Sequence, residues 1–289
     1  MNRLMKLNTF WLRIIALIAM TFDHIGVLLP SFTSFGMESN LVIAFRIIGR
    51  IAFPLFVFLE IEAIRHTSNP YKYLFRILLL TITTVVAHVL LYHFFDTYAM
   101  YIRNPILDIF LIALGFYLIH RKDKFSYFSL LPIGYLVLNS VLNILEQFND
   151  YTITWLPFYV RTGYGLFGVA VALACYFSAT IARMYSVKKY PDISLSEILN
   201  SLDFQYYRNV INVILQVFIL ITISLLPYIN IKLLGIFQTW QSYFALSLIP
   251  LLLYNGKLGY KAKWFKYASY FYFPLHIVII YLIFYIFAI

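Results

Sequence analysis

Apolar runs of roughly 20 residues recur from one end of this chain to the other, with only short polar segments between them. A helix rises 1.5 Å per residue, so each run matches the ~30 Å hydrocarbon core of a bilayer. Nine such runs lie near 11–30, 41–64, 73–95, 106–120, 126–145, 161–183, 209–229, 233–254 and 265–289. The fourth is short and is expected to tilt or to end in the interface. The predicted fold is therefore all-α, a polytopic transmembrane helix bundle of about nine to ten spans. Residues 1–289 are expected to form a single integral membrane domain. Only 12% of the residues are charged, against about 25% in soluble domains, so a globule in water is excluded.

A formal charge of +10 raises nucleic acid as a partner. The basic residues sit in short clusters between the runs, however, so membrane lipids and orientation explain them and no nucleic-acid partner is expected. One alternate set of connections holds Arg3, Lys6 and Arg13; Arg65, Lys72 and Arg76; Arg121, Lys122 and Lys124; Arg183, Lys188, Lys189 and Arg208; and Lys257, Lys261, Lys263 and Lys266. The other set holds only Arg103, Arg161 and Lys232. The positive-inside rule makes the first set cytoplasmic, with the N-terminus inside and the C-terminus outside. No small-residue cleavage site follows the first run, so it reads as a span rather than a signal peptide. The single cysteine, Cys175, lies in an apolar stretch, where a thiol is inert; disulfides and cysteine metal sites are excluded.

The longest cytoplasmic connection, near 184–208, carries its own helix signal. Ser194 and Glu197 have capping-box spacing, and Ile193 and Ile198 are placed for a hydrophobic staple. Leu195, Ile198, Leu199 and Leu202 fall on one face, which predicts a short amphipathic helix in the inner interface. No internal repeat of the kind found in many transporters is evident.

Ionisable residues at bilayer depth are costly and often functional. The first run carries Asp23 and His24; the second carries Arg46 and Arg50, spaced i,i+4 on one face. Counted at 1.5 Å per residue, His24 lies roughly 20 Å above the inner boundary, and the two arginines roughly 8 and 14 Å below the outer one. They bracket the level of the histidine. His88, Asp108, Asn139 and Asn143 map to the outer halves of their runs, and His276, two residues after Pro274, lies near mid-membrane. An imidazole beside a carboxylate suits general-base catalysis, and nearby cations suit a developing oxyanion, a phosphate or a carboxylate. On this basis His24, Asp23 and His276 are the candidate catalytic residues. Arg46, Arg50, Asp108, Asn139 and Asn143 are candidate substrate contacts. The same groups would suit a proton-coupled transporter, and residue types alone do not separate the two; a non-enzymatic membrane assembly factor is the third reading. Plainer roles stand beside these. Asp23 paired with an arginine can simply fix helix register, His88 and His93 can be interhelical hydrogen-bond partners, and Gly26 and Gly49 can let the first two helices approach. Glu60 and Glu62 are expected to pair with bases such as Arg65.

The stretch "LRIIALIAMTFDHIGVLLP" at 12–30, "FRIIGRIAFPLFVFLEIEAIRHTSNPYKYLFRILL" at 45–79, "YGLFGVAVALACYF" at 164–177, "LIPLLLYNGKLG" at 248–259 and "YASYFYFPLHIVIIYL" at 267–282 follow one another in a familiar order. Together they resemble the TraX family of bacterial membrane acetyltransferases. The Asp-His-Ile-Gly motif at 23–26 and the block at 45–79 are the most specific parts. The resemblance implies an acetyltransferase of the bacterial inner membrane. Acetyl-CoA would be the donor from the cytoplasm, the acceptor would be an amine or hydroxyl of an envelope peptide, pilin-like protein or glycan, and no metal is implied. His24 would be the base or a transient acyl carrier, and Lys72, Arg76, Lys257 and Lys261 would contact the CoA phosphates. Two departures stand out: the long segment 184–208, and Asp108, where an uncharged residue is expected. The charge asymmetry sets the first test. Ser34→Cys and Asn149→Cys should each be labelled by an impermeant thiol reagent added outside the cell. Labelling of both from the cytoplasmic side alone would reverse the orientation.

Overall fold

The computed structural model describes residues 5–34, 36–95, 103–121, 123–149, 153, 155–225 and 239–287. Among them the chain is helical, with one isolated parallel bridge between Leu7 and Tyr254. The helices are α1 (Thr9–Phe32), α2 (Asn40–Gly49), α3 (Ala52–His66), α4 (Pro70–Phe95), α5 (Pro105–Arg121), α6 (Leu130–Asn149), α7 (Gly165–Lys189), α8 (Leu195–Asn200), α9 (Leu202–Leu225), α10 (Leu248–Leu252) and α11 (Lys263–Phe287). Seven spans among the described residues are long and apolar enough to cross a membrane, so the helical membrane bundle is as expected. The fourth run is the 17-residue α5. The eighth run appears as a 3₁₀ helix, Thr239–Ser247, leading into α10; its first part lies outside the described residues.

Prolines set several boundaries. Pro70 and Pro105 open α4 and α5, where a missing N–H costs nothing. Pro54 breaks the second run. Its ring cannot sit against the carbonyl four residues back, that of Arg50. The backbone tightens there, with Arg50 N–H donating to Ile47 and Ile51 N–H to Ile48, and one predicted span becomes α2 and α3.

Contacts bring the basic clusters to one end of the bundle. The first amides of α1, at Thr9 and Phe10, donate to the carbonyls of Lys257 and Leu258. Arg208, at the start of α9, meets Glu62, near the end of α3. Tyr71 at the start of α4 packs on Tyr117 near the end of α5. The opposite end closes on Leu28, Leu91, Ile277 and Tyr281. The main core surrounds α3, with Leu55, Val57, Phe58 and Ile61 buried against neighbours that include Ile112 and Ala172. Large apolar residues also point outward at helical spacing, as Phe75, Leu79, Ile82 and Val86 do on α4. In water that stripe would be costly; in lipid it is the solvated face.

The insertion is built as its capping signal predicts. Ser194 Oγ accepts from Glu197 N–H, and α8 has six residues. Ile198 turns inward and is buried, while Ile193, Leu195 and Leu202 remain exposed, so the expected apolar face is split between the bundle and its surroundings.

α7 begins inside the bundle, where its first amides have no water to meet. Side chains of α5 and α6 replace the water. Asp108 accepts from Gly163 N–H at 2.7 Å, Tyr164 N–H at 3.2 Å and Gly165 N–H at 2.7 Å. Asn139 Oδ1 accepts from Thr162 N–H at 3.3 Å, and Ser140 Oγ from Leu166 N–H at 2.7 Å. Gly165 sits at φ +44°, and a Cβ there would fall 2.1 Å from Ser140 Oγ, so glycine is required. Asp108 and Asn139 thus anchor a helix start rather than stand free for a substrate. Replacing Asp108 with Ala strands three buried donors and should destabilise the folded protein by about 3 kcal/mol or more, with Asp108→Asn losing less. Thermal unfolding in detergent reads this; an unchanged midpoint for Asp108→Ala would remove the helix-anchoring role.

Candidate functional site

The candidate residues of α1 and α2 meet in one place. Asp23 Oδ1 accepts from Arg50 Nη2 at 2.5 Å and from Arg46 Nη1 at 2.8 Å. Arg46 Nη1 also reaches the Asp23 carbonyl at 3.4 Å. Arg50 is further held by Gln241 Oε1 at 3.4 Å and by donation from its Nε to the Arg46 carbonyl. Two guanidiniums thus share one carboxylate. Asp23 and Arg46 each keep 14% exposure.

Close packing makes the contact. A Cβ on Gly49 would fall 2.3 Å from Asp23 Cβ, so only a hydrogen there lets α2 lie against α1. Gly26 performs the reciprocal task less tightly, facing Phe45 and Arg46 at 3.0–3.3 Å.

His24 lies beside this cluster, but Asp23 forms no hydrogen bond to its ring among the described residues. Its Nδ1 faces the Met20 carbonyl at 2.9 Å and His276 Nε2 at 3.1 Å. His276 Nδ1 faces the Tyr272 carbonyl at 2.9 Å. Carbonyls only accept, so in the neutral rings both Nδ1 atoms carry the hydrogen. His276 Nε2 then accepts from His24 Nδ1–H, and His24 Nε2 is left with a lone pair and no hydrogen-bond partner among the described residues. The imidazole is therefore oriented by a backbone carbonyl and a second imidazole, and Asp23 serves the arginines.

Other residues complete the setting. The Tyr272 ring stacks on His276 with centroids 5.3 Å apart, and its hydroxyl bonds Thr21 on α1. His88 is buried on α4 within electrostatic range of both His24 and His276, while His93 is exposed and packs on Phe94. Tyr272 and Gln241 were not singled out from the sequence, and His88 was read there only as a polar residue at depth. The i,i+4 spacing of Tyr272 and His276, and a glutamine in an apolar run, were the available signals.

The remaining candidates lie apart. Asp108 and Asn139 hold the start of α7, and Asn143 is buried one turn further along α6. Lys72, Lys257 and Lys261 are exposed at the basic end. Arg76, near them, lies over the Tyr73 ring at 5.7 Å and has a buried Nε without a partner. Glu62 pairs with Arg65 at 3.5 Å as expected, but its stronger partner is the distant Arg208 at 2.6 Å. Glu60 accepts from the Tyr73 hydroxyl rather than from a base. Among the described residues no group of His, Cys, Asp and Glu side chains could hold a metal ion.

The close approach at Gly49 gives a direct test. Gly49→Ala should push α2 from α1, loosen the Asp23 pair and cost about 1–3 kcal/mol or more by overpacking. Gly134→Ala, where a Cβ meets nothing within 4 Å, is the control. Equal thermal midpoints for the two variants would contradict the tight α1–α2 contact.

Comparison with known proteins agrees with this architecture. The family model described as TraX protein matches residues 9–284. The Probable fimbrial assembly protein FimC, serogroup H1, of Dichelobacter nodosus is 37% identical over 78 residues, which cover 27% of this chain and 30% of that protein. No solved structure gives a significant match. A helical membrane bundle whose family match runs from the first residue of α1 to within three residues of the end of α11 has one assignment: the chain belongs to the TraX family.

Proposed function

We propose that this protein is an acetyltransferase of the bacterial inner membrane, carrying acetyl from acetyl-CoA to an amine or hydroxyl of an envelope-associated acceptor. The observation that carries the reading is the His24–His276 contact, because it leaves His24 Nε2 as an uncommitted base beside the Asp23–Arg46–Arg50 cluster. The basic end faces the cytoplasm, where the donor is made. Lys72, Arg76, Lys257 and Lys261 sit at that end as contacts for the donor phosphates, and the uncommitted Nε of Arg76 supports this. The name of the fimbrial relative favours a pilin-like protein among the acceptors, beside envelope peptides and glycans.

The chemistry balances without a further reagent. His24 Nε2 takes the proton of the acceptor N–H or O–H as that heteroatom bonds to the acetyl carbonyl carbon. The charge that builds on the carbonyl oxygen is opposed by the Arg46 and Arg50 guanidiniums. The C–S bond then breaks, and the proton passes from the imidazolium to the leaving thiolate. His24 returns to its neutral form. His276 positions His24 by accepting from Nδ1–H, which fixes Nε2 as the basic nitrogen.

General-base catalysis contributes about 10²–10⁴-fold. His24→Ala should therefore insert and fold but lose roughly two to four orders of magnitude in acetyl transfer, with His276→Ala intermediate and His93→Ala close to wild type. Mass spectrometry of envelope peptides and glycans from cells with and without the protein identifies the acetylated product. A correctly inserted His24→Ala protein with normal transfer would move the base to His276. Normal transfer in both variants would end the imidazole-based reading.

A further inference from the structure

Five polar side chains run down one face of α9: Gln205, Arg208, Asn209, Asn212 and Gln216, none more than 8% exposed. The opposite face carries the exposed Ile214, Phe218 and Ile221. At the basic end most of the polar groups are answered, Gln205 Oε1 excepted. Arg208 donates to Glu62 at 2.6 Å and to Asn209 Oδ1 at 3.1 Å, between the rings of Phe58 and Tyr254. Asn209 Nδ2 donates to the Tyr254 carbonyl at 2.6 Å.

One turn deeper the answers stop. Asn212 and Gln216 are both fully buried. Gln216 Nε2 donates to Asn212 Oδ1 at 3.1 Å and lies 3.9 Å from Cys175 Sγ. Asn212 Nδ2 and Gln216 Oε1 have no partner. Turning both amides over exchanges the bonded atoms and again leaves one nitrogen and one oxygen, so the deficit does not depend on their orientation. Unanswered polar atoms at membrane depth are costly, and leucine or methionine would avoid the cost.

One free donor and one free acceptor on this face suit an uncharged chain that carries secondary amides, each of which offers a carbonyl and an N–H. We infer that Asn212 and Gln216 bind an amide in the pantetheine arm of the thioester donor and hold it on its way from the basic end to His24. This rests on the acetyl-transfer reading. The arm is uncharged and carries two secondary amides between the nucleotide and the sulfur, and α9 runs from the basic end into the bundle. The 3₁₀ helix Thr239–Ser247 packs against both α9 and α2 and continues the pattern. Its Gln241 holds Arg50 through Oε1 and leaves a buried Nε2 without a partner.

The test compares two ligands on the purified full-length protein. One is acetyl-CoA; the other is its adenosine bisphosphate half, which lacks the arm. The double variant Asn212→Leu/Gln216→Met keeps shape and removes the polar pair, so it should stay folded. It should bind acetyl-CoA about 10- to 100-fold more weakly, from roughly tenfold per lost hydrogen bond, and the arm-less half as wild type does. A donor analogue with an ester in place of an arm amide gives a second measure that needs no variant; it should bind wild type about tenfold more weakly than acetyl-CoA does. Unchanged acetyl-CoA affinity in the variant, equal weakening of both ligands, or full affinity of wild type for both ester analogues would each overturn the inference and leave the acetyl-transfer reading standing. If wild type binds neither acetyl-CoA nor the half-ligand, the acetyl-transfer reading itself falls and takes this inference with it.

Discussion

Hydrocarbon offers a polar group no hydrogen bond, and the interior of this bundle is arranged around that constraint. A helix that starts inside a membrane needs acceptors for its first amides, and α7 receives them from Asp108, Asn139 and Ser140. Guanidiniums at that depth need an anion, and Asp23 supplies one to two of them. Each answer joins helices that the loops alone would not fix. Asp108 ties α5 to α7, Asp23 ties α1 to α2, and Glu62 ties α3 to α9 through Arg208. Some answers are incomplete, and His24 Nε2 and the deeper part of α9 are those that the proposed ligands would complete.

The membrane bundle was legible because hydropathy and length are local properties. The grouping of Asp23 with Arg46 and Arg50 was legible because depth follows from simple counting along two neighbouring helices. Asp108 was not. Its partners are backbone amides 55 to 57 residues away, and a backbone amide has no letter in the sequence. The split of the second run was signalled by Pro54, but an apolar run continuing past a proline still reads as one span. The polar face of α9 was hidden for another reason. Arg208 reads as one more member of a basic loop, and Asn209, Asn212 and Gln216 are uncharged, so nothing marked them until their partners could be traced. The contact between His24 and His276 spans 252 residues and required the fold.

Division of labour at the site also became visible only in three dimensions. A carboxylate next to a histidine in sequence suggests an orienting acid, yet successive residues on a helix point about 100° apart. Asp23 therefore turns to α2 while His24 turns to α11. A carbonyl and a second imidazole orient the ring without placing an anion against it, and the lone pair is directed to one nitrogen.

The lock on α1 bears on how the molecule is made. Its first amides close on Lys257 and Leu258, and its histidine closes on a residue of the last helix. At about 5–20 residues per second, a ribosome needs roughly ten to fifty seconds to travel from His24 to His276. Through that interval α1 stands in the bilayer capped by Asn8 alone, with the amides of Thr9 and Phe10 and the imidazole of His24 still without their distant partners. The Asp23 bridge to α2 is the link that forms early. The proposed centre is thus completed only when α11 enters, so a chain stalled before it would hold the charged cluster of α1 and α2 without the oriented imidazole.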